Sequence, residues 1–74
     1  MARLPRISGK QAVEIFKKLG WSAVRRTGSH VILTKKGNIA TLSIPQHKEL
    51  APGTLRALIR NAGTTVEEFV NLSR

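Results

Sequence analysis

The triplet Gly28-Ser29-His30 is where this chain offers chemistry. It has two histidines, His30 and His47. The first sits between a Gly-Ser turn signal and the apolar run Val31-Ile32-Leu33. A neutral imidazole accepts a proton near neutral pH and an imidazolium returns one, so a histidine held beside a substrate is a candidate acid–base group. Arg25, five residues upstream, can supply positive charge to an anionic transition state. On pattern alone, His30 reads equally as a catalytic group or as a solvated strand histidine. His47 reads as an acid partner or as a loop histidine without a role.

The rest of the inventory narrows the reactions. Metal-dependent nucleases hold their cations with clustered carboxylates. Here the only acids are Glu14, Glu49, Glu67 and Glu68, scattered along the chain. Two histidines without cysteine make a poor zinc site. A Ser–His–Asp triad lacks its aspartate, although glutamate can substitute. "GSH" and "KKGN" lack the spacing of a phosphate loop. No metal and no cofactor are expected. RNA remains open as a substrate because it carries its own nucleophile, the 2′-hydroxyl, which needs only a base and nearby cations. DNA lacks that group.

Charge points the same way. Thirteen Lys and Arg face four Glu and no Asp, a net +9. Residues 1–36 hold nine basic residues and one acid, net +8, while residues 37–74 hold four and three, net +1. Such a field attracts polyanions, nucleic acid first among them, against the plainer reading of a solubilising surface. Arg25, Arg26, Ser29, Lys35 and Lys36 are the expected RNA contacts, with Lys10, Lys17 and Lys18 as phosphate-steering charges on a helix. Trp21, the only tryptophan, reads as a core residue ahead of a base-stacking one.

Seventy-four residues make one domain, 1–74, with residues 1–7 as a loose basic arm. The basic N-terminus has no apolar run behind it, so no secretory signal is expected. No stretch reaches the ~20 apolar residues of a membrane helix. A soluble, cytoplasmic, monomeric protein is expected.

These groups need a frame. Ser8, with Gln11 three residues on, reads as a capping box opening a helix over about 8–19. Ala12, Ile15, Phe16 and Leu19 form its buried stripe. Gly20 suits the left-handed residue that ends it, with Trp21 folding back onto Phe16. Residues 21–44 read as three strands. Gly37-Asn38 fits a two-residue hairpin turn. That turn makes paired positions sum to 75: Val31 with Ile44, Leu33 with Leu42 and Lys35 with Ala40 on one face. Ile32 with Ser43, Thr34 with Thr41 and His30 with Pro45 share the other. The first face is mostly apolar and the second mostly polar, as the register requires.

Gly28-Ser29 could make a similar turn, with positions summing to 57. Val24 would then stand beside Leu33 on the core face, with Arg25 beside Ile32 and Thr27 beside His30 on the outer face. That register also sends Trp21 outward, a conflict that a bulge or a longer loop removes. A second helix begins near Gly53 or Thr54, carries Leu55, Leu58, Ile59 and Ala62, and ends at Gly63. Thr65 with Glu68 caps a short C-terminal helical turn. The fold class is α+β: α-β-β-β-α with a three-stranded antiparallel sheet, both helices on one face and the other face open to water. This order matches the double-stranded-RNA-binding type of fold. It places His30 on the open face, and His47, two residues beyond Pro45, within ~7–10 Å of it at ~3.3 Å per residue.

Taken together, "KKLGWSAVRRTGSH" and "LSIPQHKELAPGTLRALIRNAGTTVEEF" resemble the HicA toxins of bacterial and archaeal toxin–antitoxin pairs. The second stretch is similar to the family's Pro-x-His, Gly-Thr-Leu and Ala-Gly-x-x-x-Glu-Glu-Phe elements, in order. The resemblance covers nearly the whole chain. It implies a ribosome-independent mRNA interferase, metal-free, with a double-stranded-RNA-binding-like fold. The essential histidine of Gly-Ser-His falls on His30, and a HicB-type antitoxin covering the active face is the implied partner. The rivals are a non-catalytic RNA-binding module and a protein whose charge serves only to bind an acidic antitoxin.

Overall fold

A computed structural model describes residues 3–73. Six elements follow in order: α1 (Gly9–Lys18), β1 (Ser22–Thr27), β2 (His30–Thr34), β3 (Thr41–Pro45), α2 (Pro52–Asn61) and α3 (Val66–Leu72). The sheet is antiparallel in the order β1-β2-β3, so the strand that begins with His30 is central. One face carries α1, packed on β1 and β3, and α2, packed on β3; α3 lies against both helices. The α-β-β-β-α expectation holds, with a C-terminal helix of two turns where a single turn was expected. Among the described residues no helix is long and apolar enough to cross a membrane.

Local chemistry sets the ends of these elements. Ser8 caps α1 through the reciprocal box, its Oγ accepting from the Gln11 amide and the Gln11 side chain accepting from the Ser8 amide. At the other end Gly20 takes φ +98°. Its N–H donates to Lys17 O, and the Trp21 N–H donates to Phe16 O, the paired bonds of a Schellman ending. Gly63 closes α2 in the same way, with Gly63 and Thr64 donating to Arg60 and Ile59. The start of α2 lies earlier than expected. Ala51 is its N-cap and Pro52 its first residue, where a missing N–H costs nothing. Thr65 Oγ1 accepts from the Glu68 amide, but the Glu68 carboxylate pairs with the Thr64 hydroxyl.

The expected register of β2 with β3 is the one observed: His30↔Pro45, Val31↔Ile44, Ile32↔Ser43, Leu33↔Leu42 and Thr34↔Thr41. The turn itself differs. It centres on Lys36-Gly37, with Asn38 N–H donating to Lys35 O and Asn38 Oδ1 accepting from Ala40. The ladder therefore stops at Thr34 and Thr41, and Lys35 and Ala40 are unpaired.

Gly28-Ser29 does form a two-residue turn, with Gly28 at φ +58°. Thr27↔His30, Arg26↔Val31 and Arg25↔Ile32 pair as expected. The register then slips between Ala23 and Arg25, so Ala23 rather than Val24 faces Leu33. Val24 is left 54% exposed and Trp21 only 2%. The extra residue reverses the alternation upstream of it, which lets the larger side chain enter the core.

That core runs from Ile7 through Phe16, Trp21, Leu33, Leu42, Ile44, Leu55 and Ile59 to Phe69, and contains no buried charged residue. Phe16 and Phe69 meet with ring centroids 5.0 Å apart at 52°, tying α1 to α3. Ile7 is buried, Leu4 packs against the same cluster, and Ile7 O accepts from Leu50 N–H. The basic arm is therefore docked over its second half rather than loose; residues 1 and 2 lie outside the described residues. Because Trp21 is enclosed, its emission should be blue-shifted, resist acrylamide quenching, and shift red only with cooperative urea unfolding. Ready quenching in native buffer would contradict this packing.

Candidate RNA-processing face

The register sorts the sheet's open face into three rows. Thr27, His30 and Pro45 form the first, Arg25, Ile32 and Ser43 the second, and Ser22, Thr34 and Thr41 the third. Each of these side chains is partly or fully exposed. His30 thus stands on the middle strand, at the end of the sheet beside the Gly28-Ser29 turn. Arg25 is its diagonal neighbour on β1, a relation that sets Cα atoms roughly 7–8 Å apart.

The other candidate residues fall at different distances. Ser29 lies in the turn, and its carbonyl accepts from the Gln46 amide at 2.7 Å, carrying the β2–β3 ladder one step past His30. Arg26 pairs with Val31 and so belongs to the helix-side face, at its exposed rim. Lys35 and Lys36 stand at the far end of β2. Five residues at ~3.3 Å put Lys35 about 16 Å along the strand from His30. The side chain of Lys35 lies across Gly20, where an added Cβ would come 3.1 Å from Lys35 Cε. His47 is exposed in the loop after β3, and its carbonyl accepts from the Gly9 N–H at 3.0 Å.

Gly9 escaped the reading of the sequence. A Cβ there would lie 1.9 Å from Pro45 O and 2.9 Å from Gln46 Cα. The first residue of α1 is therefore in direct contact with the backbone that leaves His30's partner Pro45 and leads to His47. The only hint in the sequence is a glycine just inside a helix start, where alanine would favour the helix by about 1 kcal/mol.

Among the described residues, neither imidazole nor the Arg25 guanidinium takes part in a hydrogen bond or ion pair. The ion pair found, Lys17 with Glu14 at 3.3 Å, lies on α1. From residue 15 to residue 48 the sequence contains no acid, so nothing on the strands or their turns opposes an anion. Among those same described residues, no three His, Asp or Glu side chains gather closely enough to share a cation. The arrangement offers one acid–base group, a guanidinium diagonal to it, and a positively charged, unobstructed surface.

Comparisons with known proteins agree with this frame. The model of a family described as "HicA toxin of bacterial toxin-antitoxin" matches residues 9–64, from the first residue of α1 to just past α2. None of the curated proteins matches. Among solved structures, a chain of a toxin–antitoxin complex from Streptococcus pneumoniae is 31% identical and superimposes with a TM-score of 0.68, covering 77% of this chain and 97% of that one. The matched span holds Gly28-Ser29-His30, the whole sheet and both helices packed on it. The chain belongs to the HicA family of bacterial toxins.

Proposed function

We propose that this toxin is a metal-independent endoribonuclease acting on mRNA, with His30 as its acid–base group. His30 takes the proton from a 2′-hydroxyl, or gives one to the leaving oxygen. The 2′-oxygen attacks the adjacent phosphorus as the bond to the 5′-oxygen breaks, leaving a 2′,3′-cyclic phosphate and a 5′-hydroxyl. Arg25 faces the negative charge that grows on the phosphoryl oxygens, and the Ser29 turn and Arg26 hold the flanking backbone. Lys35 and Lys36 attract the strand from the far end of the sheet. His47 is the auxiliary group, held near the site through its own backbone. The observation that carries this reading is the position of His30 at the head of the central strand, on the face that no helix covers.

The kinship with a toxin–antitoxin complex and the net charge of +9 support an acidic HicB-type antitoxin as partner, seated over this face. The site of action is then the cytoplasm, where mRNA and antitoxin are both made.

The test is to incubate purified protein with an RNA and the DNA of the same sequence, each in EDTA. The RNA should be cut and the DNA left whole. RNA that is bound but never cut would mean a binding module instead, and cutting abolished by the chelator would overturn metal independence.

Arg25 and Arg26 provide a sharper comparison, since they are adjacent yet face opposite sides of the sheet. Arg25→Ala should lower the cleavage rate by about 10²–10³-fold if it stabilises transition-state charge as oxyanion donors do. Arg26→Ala should cost only a few-fold, through weaker binding that extra RNA restores. Equal losses in single-turnover rates at saturating RNA would contradict the assignment.

A further inference from the structure

The phenylalanine and tryptophan side chains have no part in the open face. Phe16, Trp21 and Phe69 are the only aromatic residues, there is no tyrosine, and all three are at most 2% exposed. Proteins that hold unpaired bases stack them on exposed aromatic rings or on guanidinium planes, and this face offers only the imidazole of His30, given to the reaction, and Arg25. Of the groups that read base edges in bidentate fashion (Arg, Asn, Gln and carboxylates), the nine positions of this face include only Arg25.

What the face offers instead is hydroxyl groups. Ser22, Thr34 and Thr41 make an unbroken cross-strand row, Ser43 stands next to it on β3, and Thr27 lies opposite His30. Five of the nine positions are thus Ser or Thr, spaced at strand intervals and free of acids. A hydroxyl both donates and accepts, so it can pair with a phosphate oxygen or with a ribose 2′-hydroxyl, the group that distinguishes RNA from DNA.

We propose that this face recognises the ribose–phosphate backbone of an RNA strand through its rows of hydroxyls, and that it is largely indifferent to the bases. This rests on the ribonuclease reading and names its substrate class. Thr34, Thr41 and Ser43 are positioning residues: they hold the strand so that its scissile 2′-hydroxyl meets His30, at the other end of the face. Cations add affinity without regard to sugar type, so the hydroxyl rows carry the preference for RNA.

The test uses His30→Ala protein, so that binding is measured without cleavage, and fluorescently labelled oligo-A, oligo-U and oligo-C in RNA and DNA form. The three RNAs should bind within about threefold of one another, and each more tightly than its DNA counterpart. Adding Thr34→Val, Thr41→Val and Ser43→Ala should lower the RNA preference by about 10²-fold, since three lost hydrogen bonds at about 1 kcal/mol each make about 3 kcal/mol and every 1.4 kcal/mol is tenfold. The salt dependence should stay unchanged, whereas Arg25→Ala should lower its slope by about one. Ser43→Ala alone, at an exposed site, guards against a folding defect in the triple variant and should give a smaller loss of the same kind. A preference of more than tenfold for one base, or a triple variant that keeps its RNA preference, would overturn the proposal while leaving the nuclease reading intact. Failure of the parent to bind any RNA would instead remove the nuclease reading.

Discussion

His30→Ala should lower the rate of RNA cleavage by about 10²–10⁴-fold, the contribution of a positioned acid–base group. The loss should not come from unfolding. His30 is partly exposed and its side chain makes no hydrogen bond among the described residues. Substitutions at such positions usually change stability by no more than about 0.5 kcal/mol. The melting temperature should therefore hold within a few degrees and affinity for RNA within a few-fold. His30→Gln keeps a polar side chain of similar reach but cannot exchange a proton near neutral pH, so it should be as inactive as alanine. Recovery of activity in glutamine would show that His30 serves as a contact and not as an acid or base. The checks are single-turnover cleavage and thermal unfolding of the three proteins side by side.

Gly9→Ala should be the most disruptive of the small substitutions. The new methyl would stand 1.9 Å from a backbone carbonyl oxygen, and backbone cannot swing aside as a side chain can. Either α1 or the loop after β3 must move, which also strains the 3.0 Å bond from Gly9 N–H to His47 O. Overpacking of this kind costs about 3 kcal/mol. A domain of this size is held by roughly 4–11 kcal/mol in total. At about 4–8 °C per kcal/mol, the melting temperature should drop by more than about 10 °C. Gly53→Ala is the control. It lies within α2 with nothing inside 4 Å of the added carbon, so it should stabilise by about 0.5–1 kcal/mol. Equal effects in the two variants, by calorimetry or urea titration, would show that the close approach at Gly9 is not real. Where it is the loop that yields, folded Gly9→Ala protein should also cleave more slowly, because Pro45 opposite His30 and His47 shift with it.

The pairing of β2 with β3 was legible because one face had to be apolar and the other polar, and only one parity of register achieves that. The width of the turn was not. Paired positions sum to 75 whether the chain turns at two residues or loops over six, so polarity alone cannot tell these apart. The bulge lay between these cases. Trp21 and Val24 are three apart, and a regular strand cannot bury both; the structure resolves the conflict in favour of the indole. The early start of α2 rests on Pro52 in a first-turn position, which a reading led by the apolar stripe passed over. Gly9 was invisible for a different reason: its constraint comes from a loop nearly forty residues away. The exposed position of His30 and its neighbours Arg25 and Thr27 followed from register. Grouping Lys35 and Lys36 with them followed only from charge, and the length of β2 sets them apart.

If His30 works as proposed, RNA is cut by its own 2′-hydroxyl. The most direct measurement uses a defined RNA carrying a single 2′-deoxynucleotide on the 5′ side of a mapped cleavage site. Cutting at that bond should disappear while neighbouring sites persist, and the unmodified RNA should yield 2′,3′-cyclic phosphate ends. Cleavage that continues across the deoxynucleotide, leaving 5′-phosphate ends, would contradict it.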